Sequence, residues 1–156
     1  MAKAGYSIVT GGAVALSAAT AKTILGVKAT SGFGIDLQYV EVGFDGVTAG
    51  ATPVLVEIQY CTWASNSPGT NSTSVTPAQI YGRAVTVGAT AAKTWTTEPT
   101  AITTFDEELL TPYGGLVKYD WPLGRTPDSN VSEGFTIRCT APAAVNVRAT
   151  MIFERI

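Results

Sequence analysis

At 156 residues the chain is long enough for one domain to bury a core without disulfide or metal staples, and no second domain is needed. Ten basic residues against twelve acidic ones leave a net charge of −2, and the Lys and Arg positions are scattered, so the basic footprint required for binding nucleic acid is missing. Charged residues make up only 14%, no apolar run approaches the ~18 residues of a membrane span, and there is no histidine, which removes the usual general base, the Ser-His-Asp arrangement and most zinc and copper sites together.

Residues 1–21 hold two short β-leaning pieces, Tyr6–Thr10 and Val14–Ala18, split by Gly11-Gly12. They read as an N-terminal arm or edge strand ahead of a single β-sandwich domain over 22–156. The same segment imitates a poor secretory leader, with a Lys, a weakly apolar middle and an Ala-x-Ala-like end; the break at Thr10-Gly11-Gly12 argues against that reading. Lys22–Thr30 is the first convincing strand. After a turn at Ser31–Gly34, Asp36–Asp45 carries apolar residues on both faces, which predicts a central strand. Asp45-Gly46 signals a turn, and the loop Gly46–Pro53 leads into Val54–Thr62, where Val54, Val56, Ile58 and Tyr60 share a face opposite Glu57 and Gln59. These two strands are expected to pair as a hairpin. Ala64–Gln79 has hardly an apolar residue and reads as a long functional loop.

Ile80–Val87 and Ala92–Thr97 predict a further pair of strands around Gly88. Thr104 with Glu107 three residues on makes a capping box, with Pro112 as a stop, and predicts one short helix over 104–110. The acidic cluster Asp106-Glu107-Glu108 is then explained by the helix dipole rather than by two-carboxylate glycoside chemistry. The D-x-D-x-D-G spacing of a calcium loop is absent. Gly115–Trp121 alternates again, and after the polar stretch Gly124–Ser132 the chain closes on GFTIRCTAPAAVNVRATMIFERI. There Phe135, Ile137 and Cys139, then Val145, Val147, Ala149, Met151 and Phe153, recur with period 2 on either side of Ala141-Pro142-Ala143. The expected arrangement is an antiparallel hairpin in which paired residue numbers sum to 284, with Ile137 opposite Val147, Arg138 opposite Asn146 and Cys139 buried. A sum of 286 would set Arg138 against Arg148.

Eight to ten short strands with turn signals about every ten residues are the mark of a β-sandwich or barrel. The predicted fold class is all-β: an antiparallel β-sandwich, jelly-roll-like, with one short helix. An immunoglobulin-like sandwich is the alternative, although Trp63 follows Cys61 too closely for it. Cys61 and Cys139 are read as small buried residues rather than a disulfide. No G-x-S-x-G elbow, P-loop or dinucleotide fingerprint is present, so no catalytic residue, metal or cofactor is expected and the chain is not read as an enzyme. Trp63, Trp95 and Tyr113, beside predicted loops, are candidates for stacking on sugar rings; core aromatics would give the same pattern. Asn71-Ser72-Thr73 and Asn130-Val131-Ser132 match the glycosylation pattern, by chance in a protein that is not exported.

A histidine-free, Thr/Ala/Gly-rich all-β chain closing on such a stretch resembles the small virion proteins of tailed bacteriophages, head decoration (cement) proteins in particular. The likeness is one of style, greatest over Gly134–Arg155. It implies a jelly-roll-like subunit, a homotrimer, made in the host cytoplasm without a signal peptide. Such a subunit sits on the outer capsid surface and stabilises the major capsid protein lattice. The alternative is a receptor-binding, fibre-tip or carbohydrate-binding β-sandwich module. Neither reading involves nucleic acid or membrane as a partner. Ala4, Tyr6, Ile8, Val9, Val14 and Leu16 of the N-terminal segment and Pro68, Asn71 and Val75 of the polar loop are the candidate assembly contacts.

Overall fold

Alternating side chains become strands almost wherever the sequence shows them. The computed structural model describes residues 4–45, 52–113, 116–122 and 124–156, and contains no helix among them. The strands are β1 (Gly5–Val9), β2 (Val14–Leu16), β3 (Ala21–Lys28), β4 (Ile35–Asp45), β5 (Val54–Ser65) and β6 (Thr73–Val75), followed by β7 (Ala78–Tyr81), β8 (Thr90–Lys93), β9 (Thr100–Leu110), β10 (Leu116–Asp120), β11 (Gly134–Thr140) and β12 (Val145–Arg155). Ala2 at the start of the N-terminal segment, Gly46 of the expected turn, most of the loop Gly46–Pro53 and Gly115 lie outside the described residues.

Two six-stranded antiparallel sheets pack face to face. The first runs β10-β4-β12-β1-β7 with β2 also on β12, and the second runs β6-β8-β3-β11-β5-β9. Without the short strands β2, β6, β7 and β8, what remains is β10-β4-β12-β1 over β3-β11-β5-β9. Each step from one long strand to the next crosses between the sheets, except that from β5 to β9. Eight strands wound this way into two packed sheets make a jelly roll. The core between them takes Tyr6, Ile8, Val40, Val42, Val147, Met151 and Phe153 from the first sheet, and Leu25, Val27, Val56, Ile58, Phe135, Ile137 and Cys139 from the second. β4, expected to be central, lies between β10 and β12.

The crossing rule overturns three expected pairings. β11 pairs with β3 and β5, whereas β12 pairs with β1, β2 and β4, so there is no closing hairpin and no 284 register. Ile137 and Val147 do both face the core, but from opposite walls, and Arg138 and Arg148 sit on opposite outer faces of the molecule. β4 and β5 likewise belong to different sheets, as do β7 and β8. The alternation set which face of each strand is buried, and that part holds; the partner was chosen by the wrapping.

The expected helix over 104–110 is a second correction, because these residues form the C-terminal half of β9. Val54↔Leu110, Leu55↔Leu109, Glu57↔Glu107 and Ile58↔Asp106 are in register with β5. Seven residues cannot hold an isolated helix, since nucleation is costly, while β5 offers a complete row of backbone partners. Asp106, Glu107 and Glu108 therefore decorate a sheet edge instead of capping a helix, and charge on an edge strand discourages unwanted pairing.

The N-terminal segment is part of the sandwich rather than an arm. β1 pairs with β12 from Gly5↔Glu154 to Val9↔Thr150, and β2 continues along the same edge of β12 from Val14↔Val147 to Leu16↔Val145. The kink between them is held by Thr10, whose N–H donates to Ala149 O (3.0 Å) and whose Oγ1 accepts from Ala149 N (3.3 Å). Gly11 there has φ +63°, a conformation that favours glycine.

Candidate functional site

Part of the outer face of the second sheet, around β3 and β8, is covered by the chain itself. Gly26 of β3 leaves a gap into which Trp63 and Trp95 lie, stacked at 6.0 Å between ring centroids over Ala92 and Cys61. Trp95 Nε1 donates to Asn66 O at 2.8 Å, and Glu98 accepts from Thr23 N and Thr23 Oγ1 (2.9 and 2.5 Å). Both indoles are buried, so they form a small second core and offer no face to a sugar. Beside them lies a polar row on β11, β5 and β9. Arg138 donates to Glu57 from Nε (2.8 Å) and Nη2 (2.7 Å), Thr104 Oγ1 donates to Glu57 Oε1 (2.9 Å), and the Gln59 amide lies between the hydroxyls of Thr104 (3.0 Å) and Thr136 (3.2 Å). The Arg138 guanidinium holds the Glu57 carboxyl below its ordinary range despite burial, and Glu57 in turn raises Arg138. The side chains of this row satisfy one another, which is the mark of a structural network rather than a reaction centre, whereas the buried Trp63 Nε1 beside it has no hydrogen-bond partner among the described residues.

Both cysteines are buried and free, as expected, and no cluster of three metal-binding side chains occurs among the described residues. Burial pushes the Cys61 thiol up to about 11 and raises Cys139 further, so neither is a nucleophile.

Of the expected assembly contacts, Ala4, Tyr6, Ile8, Val14 and Leu16 are buried in the chain's own core and are not available to a neighbour, whereas Val9 is exposed. Pro68 and Val75 are half-buried and Asn71 is exposed. The long polar loop is laced internally: Asn71 O accepts from Thr96 N (2.8 Å), Asn71 Nδ2 donates to Asn66 Oδ1 (2.8 Å), and part of the loop pairs with β8 as β6.

Two surface features are left. The first is the open edge β9 and the exposed apolar residues after it, with Leu109, opposite Leu55, on the outer face of the second sheet and Leu116, opposite Gly43, on that of the first. Tyr113, Leu109 and Leu116 are 69%, 65% and 56% exposed, the three highest values among the large apolar side chains. β9 itself is an edge strand, with β5 on one side and Phe105 41% exposed. Tyr113 was singled out in the sequence; the leucines were not. The signal was the doublet Leu109-Leu110, since two adjacent strand residues cannot both face one core.

The second feature is an open groove of about 430 Å³ on the outer face of the first sheet, lined by Val9, the Thr10–Gly12 kink, Glu41, Gly43, Asp45, Arg148 and Thr150. Val9↔Thr150↔Glu41 and Arg148↔Gly43↔Leu116 are cross-strand rows, so Gly43 forms a floor between two acids of its own strand and opposite Arg148. Arg148 Nε lies 3.5 Å from Asp45 Oδ1, and Tyr39 OH donates to Glu41. The sequence signal was a glycine at an outward strand position flanked by Glu41 and Asp45. Comparison of the chain with protein-family models, with curated proteins and with solved structures finds no match.

Proposed function

We propose that the chain is a virion structural protein that binds the outside of a phage capsid lattice and stabilises the head. The observation that carries this reading is the open edge β9, on which Phe105 and Leu109 are 41% and 65% exposed, in a charge-poor jelly roll. Exposed apolar side chains on an unpaired edge strand mark a surface that another protein can cover. A lattice of capsid subunits offers the repeated partner, and self-association into a closed homotrimer accounts for the low surface charge. Stabilisation then follows by mass action, because a protein that binds only the mature shell draws the shell's equilibrium away from rupture. The site of action is the outer capsid surface after synthesis in the host cytoplasm, with no chemistry catalysed.

The test uses heads of the phage whose genome encodes the chain. Heads stripped of the protein should rupture at lower temperature and regain stability when it is added back. The variant Leu109→Asp, with its own melting temperature kept, should fail to cosediment with heads. Equal rupture temperatures with and without the protein would overturn the proposal.

A further inference from the structure

We infer that the groove over Gly43 is a binding site for a neutral oligosaccharide. Its volume, about 430 Å³, falls in the range of small-molecule sites, and its side-chain chemistry selects among ligand classes. The lining carries the carboxylates of Glu41 and Asp45 and the guanidinium of Arg148, and Lys118 stands in register with Glu41, so no excess of positive charge selects phosphate, sulfate or acidic sugars. The two carboxylates stand four residues apart on one strand, about 13 Å at the usual rise, too far to share a metal ion. The polar lining disfavours a purely apolar ligand.

Vicinal hydroxyl groups fit what remains. Each hydroxyl both donates and accepts, and the groove supplies acceptors on Glu41 and Asp45, donors on Arg148 and both on Thr150. Arg148 is 60% exposed and its contact with Asp45 is long at 3.5 Å, so both groups retain hydrogen-bonding capacity toward a ligand. Val9 and Leu116, 44% and 56% exposed, flank the polar floor and can cover the C–H faces of sugar rings. Gly43 keeps the floor open, since a Cβ there would meet only Leu116 Cδ1 at 3.8 Å. The kink at Thr10–Gly12 forms one wall, braced by Lys93 Nζ, which donates to Thr10 O.

This inference does not depend on capsid binding. A printed array of neutral, sialylated and sulfated glycans identifies the sugar, and a titration of ¹⁵N-labelled protein with the best neutral hit locates it. The expected result is a neutral hit with a Kd of ~1 mM or tighter and shifts at the amides of Val9, Gly11, Gly12, Glu41, Gly43, Arg148 and Thr150. Gly43→Leu, which fills the floor, should weaken binding at least ~10-fold without lowering the melting temperature, a loss of ~1.4 kcal/mol in binding free energy. Arg148→Gln gives a second variant that leaves the backbone of β4 untouched and should weaken binding as well. No neutral hit, a preference for acidic glycans, shifts confined to other residues, or full binding by both variants would overturn the inference. Cosedimentation of Gly43→Leu with heads is a separate readout, expected to be unchanged.

Discussion

Arg138 grips Glu57 through two hydrogen bonds, Nε to Oε2 at 2.8 Å and Nη2 to Oε1 at 2.7 Å, across neighbouring strands on the outer face of the second sheet. Glu57 is 6% exposed, so its charge has little water to fall back on. Arg138→Met should therefore cost about 3 kcal/mol, because it strands a buried carboxylate. Adding Glu57→Leu should recover most of that loss. Urea unfolding midpoints of the two variants check both statements.

Glu57 also ties stability to pH. Its folded-state pKa lies below the ordinary carboxylate value, chiefly through the hydrogen bond from Arg138. The associated stabilisation is complete above the unfolded-state pKa, ~4.3 for Glu, and is lost as pH falls through the folded value. Melting temperature measured from pH 7 down to pH 2 should fall over that window. Glu57→Gln should flatten the fall.

Gly26 is where two indoles and a methyl group meet. A Cβ there would stand 3.1 Å from Thr136 Cγ2, Trp63 Cη2 and Trp95 Cη2 alike. Gly26→Val should destabilise by about 1–3 kcal/mol through overpacking and should change the near-ultraviolet circular dichroism of the stacked pair. A variant with the parent's spectrum and midpoint would count against this packing.

Tyr6 stacks on Phe153 at 5.7 Å and donates from its hydroxyl to Val85 O at 2.7 Å. Tyr6→Ala should cost about 3–5 kcal/mol, and Tyr6→Phe about 1 kcal/mol for the lost hydrogen bond. Deleting residues 1–9 should unfold the sandwich, an outcome that far-ultraviolet circular dichroism detects and that a dispensable arm would not produce.

Cys61 and Cys139 should both resist thiol labelling at pH 8 in the native protein. Burial pushes the Cys61 thiol up to about 11 and encloses both side chains. Labelling stoichiometry should rise from none to two only in denaturant.

Much of the sandwich was readable because strand alternation is a local property. Phe135, Ile137 and Cys139, like Val54, Val56 and Ile58, repeat every second residue, and a strand sends such residues to one face whatever its neighbours are. The absence of histidine and of catalytic motifs was equally plain in the chain. The doublet Leu109-Leu110 and the glycine between Glu41 and Asp45 carried signals too, but nothing local distinguishes an outward strand position that meets solvent from one covered by the chain. Trp63 and Trp95 show the difficulty, since both sit on an outer face and both are buried.

Only the tertiary structure decided who pairs with whom. The pattern on Gly134–Thr140 and Val145–Arg155 is satisfied equally by one hairpin or by two opposed walls of a core, because each buries the same side chains. The capping signature at Thr104 is real in sequence and was overridden by the row of backbone partners on β5. The groove over Gly43 likewise combines β1, β4 and β12, which are distant in sequence and adjacent in the sheet. Side-chain periodicity is written residue by residue, whereas hydrogen-bond partners are chosen by which strands the jelly roll brings within reach; the first is local, and the second belongs to the whole chain.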